Sequence, residues 1–185
     1  MRRFSEINLS LDGFSTRALR AENGYQQHPG PRRTVMMIHG WSDSADTWKL
    51  VMDQLWDSGA ELVAFDMPSF GKAGPMEPGL QLPQLDRFAR AAIEHFSDCD
   101  RLIPVGQSLG ARAVLMALAR GVPANVPGAC IVGPAPIELP GWQKVLIRNG
   151  QIAASASKLT DAETIEDRIA EVIAGFKRSC LAEPD

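Results

Sequence analysis

A serine framed by glycines, Gly106-Gln107-Ser108-Leu109-Gly110, follows a short apolar run, Arg101 to Val105, and precedes a helical pattern from Ala111 to Arg120. A Gly-x-Ser-x-Gly between a strand and a helix is the setting of a nucleophile elbow. There the serine sits on a sharp, strained turn with its hydroxyl pushed clear of the sheet. A Cβ at either flanking glycine would collide with the neighbouring helix and strand. A serine hydroxyl is a poor nucleophile at neutral pH and needs a base to take its proton. Attack on a carbonyl also builds an oxyanion that needs fixed donors. The N–H of Leu109, at a helix amino end, is placed to be one of them.

The candidate bases are few. The chain has three histidines, His28, His39 and His95, and all precede Ser108. His28 lies in a Gly/Pro/Gln-rich stretch, Glu22 to Arg33, that reads as a surface loop. His95 lies near the end of a helical stripe and reads as a helix-surface or capping residue. Both belong to the amino-terminal edge of a sheet, whereas open α/β sheets keep their sites at the carboxyl edge. A helix or strand of this size separates the edges by roughly 15–20 Å. Neither histidine is expected to reach Ser108.

Alternating strands and helices must position these groups. Ile7, Leu9 and Leu11 alternate with polar residues, and Asp12-Gly13 is a hairpin signal leading into a return strand, Thr16 to Ala21. Thr34 to Ile38 is a continuous apolar run, as in a strand buried on both faces. It ends in His39-Gly40-Trp41. A helix is expected from near Asp46 to Gly59, burying Trp48, Val51, Met52 and Leu55. Glu61 to Phe65 is the next strand, followed by Asp66-Met-Pro-Ser-Phe-Gly71 and a Gly/Pro-rich loop to Pro83. Leu85, Phe88, Ala89, Ala92, Ile93 and Phe96 mark a further helix, and Gly128 to Val132 one more buried strand. This is an α/β chain with a mainly parallel sheet. After Pro140 the pattern is helical: Trp142 to Ile147, then a capping box, Thr160-Asp-Ala-Glu163, opening a stripe from Ile165 to Phe176. No strand is expected there, so Gly128 to Val132 would be a bare sheet edge.

Composition narrows the class. The 185 residues suit one domain, with 45% hydrophobic and 22% charged residues and a net charge of −3. That balance is globular and gives no reason to expect nucleic acid. No run approaches a membrane span, and the amino terminus lacks the apolar region of a signal peptide. Cys99, Cys130 and Cys180 have no metal or redox spacing, which fits reduced thiols in a cytoplasmic protein.

Taken in order, His39-Gly40 after a buried strand, Trp48 beyond it, Asp66-x-Pro-x-Phe-Gly71 after the next strand and Gly106-x-Ser-x-Gly110 make the chain resemble an α/β-hydrolase. The likeness is to the esterase, haloperoxidase-like and C–C hydrolase type, and it covers about Ile7 to Pro136. It implies an α/β-hydrolase sheet flanked by helices and incomplete at its carboxyl-terminal side, with a core over 1–139 and a helical lid over 140–185. It implies Ser108 as nucleophile, the backbone N–H groups of Trp41 and Leu109 as oxyanion hole, and structural roles for His39, Gly40, Gly106 and Gly110. Asp66 is expected to be a turn residue and Trp48 a core aromatic. Ser69 departs from the glycine usual at its position, and Lys72-Ala73 from an Arg-Ser-like pair; altered loop geometry is expected there.

The resemblance also implies an acid and then a histidine after Ser108. No histidine follows it, and the later carboxylates, Glu138, Asp161, Glu163, Glu166, Asp167, Glu171, Glu183 and Asp185, lie in the lid-like part or the tail. Two expectations follow. In one, the chain is a piece of a longer serine hydrolase acting on an ester or related acyl bond, its acid and base outside the chain, supplied by a missing carboxyl-terminal segment or a swapped partner chain. In the other, a complete protein has lost the triad and binds a ligand or protein without chemistry. The first is favoured, and the chain alone is then expected to be poorly soluble or domain-swapped. Neither reading calls for a cofactor or metal.

Overall fold

Val35, Met36, Met37 and Ile38 are all out of solvent, as a strand covered on both faces requires. They lie in β3 (Arg33–Ile38), near the centre of a seven-stranded sheet in a computed structural model that describes residues 2–134 and 153–154. Strands β1 (Phe4–Leu11) and β2 (Phe14–Ala21) form an antiparallel hairpin. Its turn residues Asp12 and Gly13 both take positive φ, 48° and 82°, the backbone of a tight two-residue hairpin turn. Strand β4 (Glu61–Phe65) pairs antiparallel with β2 and parallel with β3. β5 (Arg101–Gln107) and β6 (Cys130–Val132) extend the parallel part on the other side of β3. The order is β1-β2-β4-β3-β5-β6-β7.

The pleat sorts the core into two layers. Val35, Met37, Leu62, Ala64, Ile103 and Val105 pack with Ala45, Trp48, Met52 and Leu55 beneath the short helix α1 (Lys49–Gln54). Met36, Ile38, Val63, Phe65 and Leu102 pack against α2 (Leu82–Glu94) and α3 (Leu109–Ala119). The α2 stripe is Leu85, Phe88, Ala89, Ala92 and Ile93, all buried, and Pro83 occupies its first turn. The strand–helix alternation expected from the sequence is thus the observed one.

Two local expectations are corrected. The first helix does not reach Gly59. A 3-10 turn, Ala45–Trp48, precedes α1, and Leu55 leaves the helical region at ψ 4°. Asp57-Ser58-Gly59 is turn sequence, and Gly59 takes φ +69°. Trp48, Met52 and Leu55 are still buried, while Val51 is half-buried. Second, β6 is not left bare: the two-residue strand β7 (Ala153–Ala154) pairs with it in parallel. The lid-like helices expected from Trp142 to Ile147 and from Thr160 to Phe176 lie outside the described residues.

Candidate active site

Parallel strands deliver their ends to one edge, and the candidate residues collect there. β5 ends at Gln107, and Ser108 turns the chain into α3 with φ 50° and ψ −111°. A non-glycine residue in that region is strained, at a cost of order 1–3 kcal/mol. The surroundings hold it there. The Ser108 N–H donates to the Val132 carbonyl at 2.9 Å, and its own carbonyl accepts the Arg112 N–H at 3.1 Å. The glycines are a packing necessity. A Cβ on Gly106 would lie 2.6 Å from both the Ala111 Cα and the Gly110 carbonyl oxygen. One on Gly110 would be driven into the carbonyls of Ile38 and His39.

The loop after β3 closes over the same point. His39 is fully buried. Its Nε2 accepts the Met67 N–H at 2.9 Å, so Nδ1 carries the proton and donates to the Gly40 carbonyl at 2.7 Å. Burial pushes the imidazole below its ordinary pKa, which favours this neutral form. With both nitrogens engaged, His39 ties the end of β3 to the turn after β4 and has no free atom for Ser108. Gly40 then meets the elbow: a Cβ there would lie 3.3 Å from the Ser108 Cβ and 2.9 Å from the Gln107 Oε1. Trp41 follows, its side chain 62% exposed and edge-on to Phe70 at 5.5 Å. Leu109 opens α3, where a first-turn N–H has no carbonyl of its own helix to bond.

Asp66 does more than turn the chain. It is fully buried and takes two hydrogen bonds from Arg17, Nε to Oδ2 at 2.8 Å and Nη2 to Oδ1 at 3.0 Å. It also accepts the N–H groups of Ala45 at 2.6 Å and Lys72 at 2.7 Å. Burial pushes its carboxyl pKa up, but Arg17 and the two backbone donors outweigh this and hold it below the usual range. Arg17 reaches Asp46 as well, at 2.6 Å, and Glu6 at 3.2 Å. Lys49 and then Arg17 draw the Asp46 pKa down to about 2. The sequence did not single out Arg17; a buried acid after β4 demands a cation, but nothing local says which. In the following turn Ser69 takes φ 71°, and its Oγ accepts the Met76 N–H at 2.8 Å. The serine thus holds the left-handed backbone itself and caps the loop.

His28 and His95 are elsewhere, as their positions in the chain require. His28 abuts Gly59, just before β4 begins, and lines a pocket of about 280 Å³ with Tyr25, Arg32 and Arg33 at the amino-terminal edge. His95 caps the carboxyl end of α2 and meets Phe96 edge-on. Among the described residues, no group of three or more His, Cys, Asp or Glu side chains could hold a metal ion, and no helix is long and apolar enough to cross a membrane.

With this geometry in place, the comparisons agree on a family. Residues 35–181 match the model of the alpha/beta hydrolase family, and the chain belongs to it. Over 110 residues, 60% of this chain, it is 30% identical to the dihydrolipoyllysine-residue acetyltransferase component of the acetoin cleaving system of Cupriavidus necator. Over 113 residues it is 27% identical to a proline iminopeptidase of Lacticaseibacillus rhamnosus. The chain spans 29% and 39% of the lengths of these two curated relatives. Among solved structures, a hydrolase from Thermoplasma acidophilum, described as CIB-like, superposes with TM-score 0.65 at 17% identity, covering 96% of this chain and 100% of that one. An esterase from Exiguobacterium antarcticum gives TM-score 0.58 at 18% identity, over 70% of this chain and 46% of that one. At these identities the structural likeness is one of fold.

Proposed function

We propose that this chain forms the core of a serine hydrolase acting on an ester or related acyl bond, with Ser108 as the nucleophile. The backbone of Ser108 carries the reading: φ 50° and ψ −111° at a strand–helix junction, with Gly40 packed beside it. Strain at that residue has no evident structural use and a clear chemical one, since it lifts the hydroxyl clear of the sheet.

In this reading the Ser108 oxygen attacks the acyl carbonyl, and the developing oxyanion takes the N–H groups of Trp41 and Leu109. Losing one such donor typically costs about 2.7–4 kcal/mol of transition-state stabilisation. His39, Gly40, Gly106 and Gly110 hold the frame. The acid and base come from outside this chain, because no histidine follows Ser108 and His39 spends both nitrogens on backbone groups. Acyl transfer through a triad uses no cofactor. Residues 1–139 are the core, joined at the sheet edge by Ala153–Ala154, and the rest of 140–185 is a lid that shapes a small-molecule substrate site, in a cytoplasmic protein.

The absence of a histidine after Ser108 favours a second reading, a binding module on the same fold without chemistry. Incubation with a fluorophosphonate followed by intact-mass analysis separates the two. Labelling at Ser108, lost in Ser108→Ala, supports the nucleophile. If only a form extended at its carboxyl end labels, the base lies in that extension. Failure to label in any form removes the hydrolase reading.

A further inference from the structure

One polar group at the elbow is left over by this reading. The Gln107 Oε1 is buried and has no hydrogen-bond partner among the described residues. Its carboxamide lies against the Gly40 Cα, since a Cβ there would come within 2.9 Å of Oε1 and 3.4 Å of Cδ. The same hypothetical atom would be 3.3 Å from the Ser108 Cβ, so the carboxamide and the serine side chain share one wall. Any larger residue at position 40 would take the space that the amide occupies.

Two donors around the elbow are already committed. The Ser108 N–H goes to Val132, and the His39 Nδ1–H goes to Gly40. The Trp41 and Leu109 N–H groups are reserved for an oxyanion by the proposed chemistry, and the Ser108 hydroxyl is the nucleophile. Buried polar oxygens in native proteins are almost always paired, so an unpaired one beside a reactive serine is an unused acceptor. The terminal torsion of a glutamine is a soft, roughly two-fold rotor, so a small turn presents Oε1 to a group held at Ser108.

We infer that Gln107 is a specificity-determining residue that selects acyl groups carrying an N–H or O–H donor within one or two bonds of the scissile carbonyl, such as α-hydroxy or α-amino acyl esters. The inference rests on Ser108 as nucleophile. A site that hydrogen-bonds a substrate hydroxyl rejects the analogue lacking it strongly, because its own polar group is left unpaired.

The test uses whichever form a fluorophosphonate labels, this chain or one extended at its carboxyl end, and two diphenyl phosphonates of equal length, one with an α-hydroxyl and one with an α-methyl group, scored by the rate of labelling at Ser108. The hydroxyl reagent is expected to label faster by about tenfold or more. Gln107→Leu brings the ratio to about one, and Gln107→Glu, which keeps an acceptor, preserves it. Equal rates in the parent chain, or a preference that survives in Gln107→Leu, overturn the inference while leaving Ser108 as nucleophile. If Gln107→Leu fails to fold, the parent ratio and the Gln107→Glu ratio decide. No labelling by either reagent in any form, one extended at its carboxyl end included, overturns both the nucleophile and the inference.

Discussion

Arg17 holds Asp66 in a two-point grip, Nε to Oδ2 at 2.8 Å and Nη2 to Oδ1 at 3.0 Å, with both side chains essentially out of solvent. Removing one partner strands the other as a buried charge, which typically costs about 3–5 kcal/mol. Arg17→Met and Asp66→Asn are each expected to destabilise the chain by that order in urea unfolding. The double variant should lose clearly less than the sum of the two. An additive cycle would mean that the two residues act independently.

Ser108→Gly should stabilise the fold by about 1 kcal/mol, because glycine adopts φ 50° without the strain that serine stores there. The same change abolishes phosphonate labelling. A variant less stable than its parent would show that the backbone of Ser108 is not strained.

Gly106→Ala has no room. Its methyl would sit 2.6 Å from the Ala111 Cα, which is backbone and cannot swing aside. We expect a loss of roughly 1–3 kcal/mol or more, together with loss of Ser108 labelling. Gly40→Ala meets a side-chain amide instead, so labelling should fall more than stability. Equal thermal melts for Gly106→Ala and the parent would contradict the close packing.

His39 gives stability a pH window. Its folded pKa lies below the ordinary 6.5, so below about that pH the unfolded chain takes a proton that the folded chain refuses. Its contribution is complete above the unfolded value and is lost as pH falls toward the folded one. Asp66 acts in the same direction further down, below 3.8. Asp86 acts oppositely: burial raises its pKa above 3.8 despite Arg112, so its contribution is present below that value and is lost as pH rises through the folded one. Melting temperature should therefore drop between about pH 7 and pH 5, and His39→Asn should flatten that drop. An unchanged slope in the variant would place the effect elsewhere.

The residues that announced themselves in the sequence did so through local constraints. Val35 to Ile38 and Leu62 to Phe65 are apolar without a break because these central strands are covered on both faces. The α2 stripe repeats at helical spacing because one face meets the sheet. The glycines around Ser108 stand where no Cβ fits. Arg17 could not be found this way. Its partner is 49 residues away, and an arginine in an amino-terminal hairpin looks like a solvated strand residue. Likewise, Ala153-Ala154 carries no β-branched or aromatic signal, so the pairing of β7 with β6 had no local trace. The orphaned Gln107 oxygen needs three dimensions to be seen at all.

The grip on Asp66 has a consequence for how the molecule assembles. Its cation comes from the first hairpin, ahead of residue 35 where the family match begins. During synthesis that hairpin leaves the ribosome well before the acid it must neutralise. Closing the intervening loop costs entropy that only the finished contact repays. The hairpin therefore brings a charge that can be used only once Asp66 has been made, and Asp66 in turn holds the backbone of Ala45 and Lys72. A version trimmed at its amino end would keep every residue assigned to chemistry and still lose the counter-charge beneath them.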